Sequence, residues 1–597
     1  MRPNGTDVRV LRFFFLLALI GANSGIESNA LAQASNARVG AALDPLHALQ
    51  NRYVDEKNEN QPRLYHFGAQ GPAGVFSNHR SHTNRFVPVY LFGSKGQLSE
   101  VMGERSTYRD ADKIRALYGR LPDKTLNPDA DYADQSDLHR VQKAAVDRGV
   151  KHLFVVWFDG LDWDTVRAAA LYKSGQVYDS GPGHGLIFQD YSGTSTPQFG
   201  YVVTAPTHDD PSEKQVDVSK QSLADISGVL GGGFDVRFVG PNPWTPGPLL
   251  GAGPGYLKGQ AMTKEEAAAV ASAGGIVHAY TDSASSACEM ASGVKTFNGS
   301  INFRDDGTAV TTLFQDLQGQ GWKVGTVTSV PFCHASPAAM YAHNVSRDDY
   351  QDLGREMLGL PAITQNVGKV PALPGLDVVI GCGWGVRASD SDLKKQGDNA
   401  VAGNQYLTAN DLRAIDARNG GQYEVALRTA GVEGTQVLDE AAESAAQSGR
   451  RLFGFFGTRA GHLPFRTADG DYRPAKGIRG YAERYTPEDL RENPSLREMT
   501  RAALRVITVE KKPFALFVEA GDVDFGLHDN NLDAAIGAVY DGEEAIREII
   551  SWVEQNSNWD ESLMLVTGDH GHYLVIDDPE GIARLGGNDR KKLSSSR

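Results

Sequence analysis

The stretch YTDSASSACEMASGVKT, Tyr280–Thr296, decides how this chain is read. Small residues fill it behind Asp282 and Ser283, and no proline follows until Pro331, so the pattern predicts a helix that starts at or near Ser283. Free backbone N–H groups and the positive end of the helix dipole favour an anion at such a start. A serine hydroxyl is a poor nucleophile unless a base or a metal lowers its pKa. No histidine adjoins Ser283 in sequence, so metal activation is the reading to test. The competing reading makes Ser283 an N-cap and nothing more, as most serines ahead of a helix are. Residues elsewhere in the chain decide between the two.

Lys151–Gly160 (KHLFVVWFDG) is a short apolar run closed by Asp-Gly, and similar runs recur at Val324–Val330, Asp377–Cys382, Arg451–Gly457, Phe514–Ala520 and Leu563–Asp569. Most are continuous, not alternating, as strands covered on both faces must be. Helical spacing lies between several of them. It runs from Asp164 to Lys173, and Leu532, Ile536, Val539, Ile546, Ile549 and Val553 form one apolar stripe with Glu543, Glu544, Arg547 and Glu548 mostly off it. Strand–helix alternation predicts an α/β fold, a three-layer sandwich around a mainly parallel central sheet, with sites at the carboxyl ends of strands.

The chain has 597 residues, 41% of them hydrophobic and 22% charged, with a net charge of −15. That composition is globular, and the acidic balance argues against nucleic acid as a partner. Residues 1–32 read as a secretory signal. Arg2, Arg9 and Arg12 precede the apolar run Phe13–Ala22, and Ala30-Leu31-Ala32 offers a cleavage site. The run is too short to span a bilayer comfortably, so no stable membrane span is expected after cleavage, and a periplasmic or secreted location is. Cys288, Cys333 and Cys382 lie in or beside apolar runs and read as buried thiols. Residues 33–150 are polar, with His66, His79 and His82 read as solvated, and no role is assigned to them. The catalytic domain is expected over 151–597, with insertions near 177–258 and 384–425.

Four further segments carry candidate chemistry. Asp159 ends the first strong strand, where Asp-Gly is usually a turn. Phe332–Arg347 reads FCHASPAAMYAHNVSR, and Phe514–His528 reads FALFVEAGDVDFGLH. Glu519 ends a buried strand, and a carboxylate there needs a partner or a metal. Asp524 and His528 are four apart, so one helical turn puts both on one side of a metal. Leu563–His572 reads LMLVTGDHGH, with Asp569 and His570 following a strand.

T-D-S-A-x-x-A followed by G-V-K-T closely resembles the nucleophile segment of the alkaline phosphatases, and the other four segments resemble that family's in the same order. The resemblance implies a phosphoric monoester hydrolase with two zinc ions and one magnesium ion, and suggests a homodimer. It implies catalytic roles for Ser283, which attacks phosphorus, and for Arg347, which grips phosphate. It implies Asp159 as a bridge between two metals, Ser336 and Glu519 as magnesium ligands, and Asp524 with His528 as a first zinc site. Asp569 and His570 complete a second zinc site with Asp159 and Ser283, while Asp282, His334 and His572 support the ligands from outside. The donor chemistry agrees: hard oxygens for magnesium, a mixed N/O set for zinc.

The resemblance runs from about Val150 to Leu574. It departs in F-D-G-L at Asp159, in Phe525 where the family carries Lys or His, and in one histidine. The family has another zinc-ligating histidine beyond its D-H-x-H segment, whereas no histidine follows His572 before Arg597. Three explanations compete: a truncated or frameshifted C-terminus, which is favoured; an upstream histidine such as His462; or a weakly held first zinc. Alternative functions are a phosphodiesterase or sulfatase-like metallohydrolase of the same fold, and a catalytically impaired phosphate-binding scaffold.

Overall fold

The apolar runs are continuous because both faces of each strand are covered. In His152–Phe158, Phe154, Val156 and Phe158 enter one core while Leu153, Val155 and Trp157 enter another. The same alternation holds in Phe514–Ala520, where Leu516 and Val518 face the first core and Ala515 and Phe517 the second. Helices Trp163–Ser174, Gly434–Ser448, Leu496–Ile507 and Leu532–Asn556 close the first core. Helices Asp137–Asp147, Ser283–Ser292 and Leu313–Gly319 close the second. The fold is therefore the three-layer α/β sandwich expected from the alternation of elements.

The computed structural model describes residues 44–56, 62–68, 82–84, 86–122, 125–193, 197–209, 215–224, 230–231 and 279–594. All of these except Asp44 and Pro45 belong to one compact unit, Leu46–Arg597. The expected signal segment 1–32, His79, and the Gly- and Pro-rich part of 177–258 lie outside the described residues. Among the described residues no helix is long and apolar enough to cross a membrane.

In chain order the strands of the central sheet are β1 (Val87–Phe92), β2 (Ala133–Asp134), β3 (His152–Phe158), β4 (Gln198–Val203), β5 (Lys323–Pro331), β6 (Val378–Cys382), β7 (Tyr423–Leu427), β8 (Arg451–Phe455), β9 (Phe514–Ala520) and β10 (Ser562–Gly568). Their spatial order is β7-β8-β6-β5-β9-β3-β10-β1-β4-β2. Strands β7 to β10 along that order pair in parallel, and only β1 runs against the rest, antiparallel to both β10 and β4. Six of the ten coincide with the apolar runs.

The other four lie outside those runs. Strands β1 and β2 fall within 33–150, β4 within the expected insertion 177–258, and β7 at the end of 384–425. Residue 150 is thus no boundary in the sheet. Strand β1 is hard to see because Pro88 interrupts it, and proline cannot donate to a ladder. The β10 ladder covers only Tyr90–Phe92, and beyond it the Thr567 hydroxyl donates to the Pro88 carbonyl at 3.0 Å. Phe86, Tyr108, Tyr132 and Tyr201 form an aromatic cluster that ties the N-terminal region to β4. Glu543 is also misread by periodicity. It is 2% exposed on the long helix, paired with Lys173 and accepting from the Ile187 N–H at 2.7 Å.

A buried triad stitches the second layer to the sheet edge. Lys295 Nζ lies 3.0 Å from Asp134 Oδ2 and 2.8 Å from Glu289 Oε2, with all three side chains fully buried. It also donates to the Ala205 carbonyl at 3.0 Å. These carboxylates hold the ammonium charged despite burial, while burial pushes Glu289 up to about 8. Lys295→Met leaves two carboxylates buried without their cation, so it should destabilise the protein by about 3–5 kcal/mol in urea unfolding. An unchanged unfolding midpoint would refute the assignment.

Candidate active site

Strands β5, β9, β3 and β10 are neighbours, and each delivers polar side chains from its carboxyl end. Strand β5 carries Thr328 and leads to Ser336 in the short helix Ala335–Ala339. Strand β9 carries Glu519 and leads into helix Asp522–His528, which holds Asp524 and His528. Asp159 follows β3 directly, and Asp569, His570 and His572 follow β10. Parallel strands put these ends at one rim, where open α/β sheets collect their ligands.

Ser283 comes to the same rim on helix Ser283–Ser292. The cap is Asp282, with extended backbone and Oδ1 accepting from the Ser285 N–H at 2.9 Å. Ser283 is the first helical residue. Its buried Oγ lies 3.2 Å from Asp159 Oδ1 and 3.2 Å from His570 Nε2. Asp282 Oδ2 accepts from Arg347 Nη1 at 2.9 Å and from the Gly299 N–H at 3.0 Å. One carboxylate therefore caps the serine's helix and anchors the guanidinium. That pairing holds Arg347 well above the ordinary guanidinium pKa, although burial opposes it.

Asp159, Glu519, Asp522, Asp524 and Asp569 are all buried. Burial, then the charges of Asp569, Asp524 and Glu519, raises Asp159 well above the carboxylate range. Burial likewise pushes Glu519 up to about 8 and Asp569 up to about 6. Asp524 goes the other way: burial opposes it, but His528 and His572 hold it below the ordinary value. Asp569 Oδ1 accepts from the N–H groups of Gly160 (2.7 Å) and His570 (3.0 Å), whereas Oδ2 accepts no hydrogen bond. Glu519 Oε2 accepts from the Thr328 hydroxyl, and the Ser336 hydroxyl lies beside the same carboxylate. One oxygen each from Asp159 and Asp569 and a ring nitrogen of His570 lie within 4.8 Å of one another. Buried carboxylates beside imidazoles, with a carboxylate oxygen left without a hydrogen bond, suit divalent cations. Zinc and magnesium both fit this donor set.

The histidines sort differently from the sequence expectation. His82, read as solvated, packs its ring 4.0 Å from that of His570 and 5.0 Å from that of His528. Burial and the three neighbouring imidazoles drop it well below the usual imidazole pKa. Thr83 and Gly571 exchange backbone hydrogen bonds at 2.7 and 3.1 Å. Asn84 accepts from the Thr281 N–H at 2.8 Å and donates to the Ala279 carbonyl at 3.0 Å, so the segment is clipped to both site loops. His334 sits among aromatic rings. Its ring lies against Tyr350, Tyr406 and Phe525, and burial and Arg347 lower it to about 3. His462, the less favoured substitute ligand, is committed elsewhere: Nε2 faces Glu483 at 3.1 Å and Nδ1 faces the Leu463 carbonyl at 2.7 Å. His572 Nε2 meets Asp524 Oδ1 at 2.7 Å and His528 Nε2 approaches the same oxygen at 3.3 Å. Asp522, passed over in the sequence, is the buried counterpart of His462.

Gly160 shows why the strand-end pair is Asp-Gly. Its φ is +77°, and a Cβ there would stand 2.8 Å from His572 Nε2 and 3.1 Å from the Asp524 Cα. Gly160→Ala should displace both and weaken zinc retention by about tenfold or more in chelator competition; undiminished retention would contradict this packing. His462 supplies a pH test. Burial disfavours its imidazolium, but Glu483 and Asp522 outweigh that and raise it from 6.5 to about 9. A raised folded-state pKa stabilises fully below 6.5, and this is lost as pH climbs through about 9. The melting temperature should therefore fall more steeply across that window in the wild type than in Glu483→Gln.

The chain is similar in sequence to known proteins. Alkaline phosphatase 4 of Bacillus subtilis is 25% identical over 291 residues, 49% of each chain. The alkaline phosphatase of Escherichia fergusonii is 27% identical over 310 residues, 50% of this chain and 60% of its own. The chain thus spans about half to three-fifths of these relatives. A cold-active alkaline phosphatase from a psychrophilic Shewanella superposes with a TM-score of 0.39 at 18% identity, over 70% of this chain and 68% of that one. A sequence model of the family described as alkaline phosphatase matches residues 259–587, more than half of the chain, which therefore belongs to the alkaline phosphatase family.

Proposed function

We propose that the protein is an exported alkaline phosphatase that hydrolyses phosphate monoesters through a phosphoserine on Ser283. The observation that carries the reading is the Ser283 hydroxyl at a helix start, 3.2 Å from both Asp159 and His570, with Arg347 anchored on the neighbouring Asp282. Export rests on residues 1–32, and a homodimer on the family alone.

The residues assigned to cations are Asp159, Asp569, His570 and the Ser283 oxygen for one zinc, Asp524 and His528 for another, and Asp159, Ser336 and Glu519 for magnesium. Cations bound there supply positive charge that lowers the serine pKa and screens the phosphate. The protein's own groups do the positioning. The first turn of helix Ser283–Ser292 directs N–H groups and its dipole at the incoming anion. Ser283 Oγ forms the new bond to phosphorus as the bond to the leaving alcohol's oxygen breaks, and water then releases phosphate from the serine. Arg347 presents a planar fork to two phosphate oxygens, and Asp282 fixes its angle. His572 holds the Asp524 carboxylate in place from behind.

Ser283→Ala should lower kcat/KM for an aryl phosphate by about 10³-fold or more while zinc content stays at the wild-type level. Arg347→Ala should raise KM by about tenfold, more than it lowers kcat. Faster turnover of a phosphodiester or a sulfate ester than of the monoester would overturn the substrate class. A wild type as inactive as Ser283→Ala in excess zinc would favour a binding scaffold.

A further inference from the structure

Building on the metal-dependent reading above, and resting on it, we propose that His82 is a ligand of the cation held by Asp524 and His528, making residues 82–84 a strap that docks as part of the metal centre. One ligand atom each from His82, Asp524, His570 and His572 already lies within 4.8 Å of the others. Tetrahedral donors about 2 Å from zinc stand roughly 3.3 Å apart, so His82 and Asp524 need to approach by no more than about 1.5 Å. The His82 ring is also 5.0 Å from that of His528.

Asp524 and His528 give two donors, whereas a catalytic zinc takes three from the protein. The competing rings have other work. His572 is turned onto Asp524 Oδ1, His570 lies between Ser283 and Asp569, and His462 is held by Glu483 and the Leu463 carbonyl. Among the described residues His82 stands beside both donors, its ring 5.0 Å from that of His528 and a ring nitrogen within 4.8 Å of an Asp524 oxygen.

Its position is built in. The Thr83–Gly571 backbone pair and the two Asn84 side-chain bonds fix the strap on either side of the site, and the Phe86 carbonyl accepts from the Trp163 N–H at 3.2 Å. A Cβ on Gly571 would stand 2.4 Å from Asp162 Oδ2 and 2.8 Å from Thr83 Oγ1, so the glycine inside D-H-G-H gives room to both Asp162 and the strap. Asn84 is accordingly a positioning residue for His82.

The test uses the full chain, stripped with chelator and reloaded with zinc or cobalt(II). His82→Ala should retain about one zinc fewer per chain after dialysis, bind its weaker zinc at least about tenfold less tightly, and change the cobalt visible absorption. Free imidazole should restore part of the loss. Asn84→Ala, which keeps the imidazole but loosens it, should weaken the same zinc by a smaller factor. Equal zinc content, equal affinity and an unchanged cobalt spectrum in His82→Ala would overturn the proposal while leaving the proposed function standing. A wild type that takes up no zinc would sink the function reading itself. If His82→Ala does not fold, carbethoxylation of the wild type decides: zinc should protect His82, and undiminished modification at saturating zinc would overturn the assignment.

Discussion

Buried like charge at the rim of four adjacent strands is the constraint that shapes this molecule. Asp159, Glu519 and Asp569 stand where parallel strands converge, away from water, and each is pushed toward its protonated form by burial and its neighbours. A protein seeking only stability would fill such positions with apolar side chains. Retaining carboxylates there makes sense if charge of the opposite sign arrives from outside. Burial holds the His570 and His82 imidazoles toward their neutral forms, so these two leave that role open.

The rest of the site distributes its labour among three layers. The sheet sets the spacing of the carboxylates, which loops alone could not hold so closely. The helix layer presents Ser283 with its first turn facing the rim, and Asp282 couples that helix to Arg347. The strap from the N-terminal region then clips over both, through Thr83 to the D-H-G-H loop and through Asn84 to the serine loop. Each layer orients a different part of the reacting geometry, so a shift in any one is felt at the others.

The legible part of the fold was its middle. Strands buried on both faces announce themselves by unbroken apolar runs, and six of the ten did so. Strand β1 hid behind Pro88, β2 spans two residues, and β4 sat beside Gly- and Pro-rich sequence that reads as loop. The site was legible wherever a short string carries several polar residues, as in T-D-S-A or D-H-G-H. Residues working alone were not. His82 lies in polar sequence with no neighbouring donor, and only the Thr83–Gly571 pairing reveals where it points. Asp522 was passed over because Glu519 and Asp524 flank it, while His334 drew attention through its motif yet packs among aromatic rings.

The antiparallel pairing of β1 with β10 joins nearly opposite ends of the described chain, with Tyr90 facing Val566 and Phe92 facing Met564. The edge of β1 that faces β4 can be satisfied once Gln198–Val203 has been made, but the edge that faces β10 stays open until Ser562–Gly568 follows. A growing chain must carry that second edge of Val87–Phe92 unpaired in the meantime, the situation in which large proteins rely on holdases or slow collapse to avoid association. Closing the sheet at β1 and β10 consequently follows the making of β10, and it brings His82, just ahead of β1, together with Asp569, just beyond β10, in the same motion.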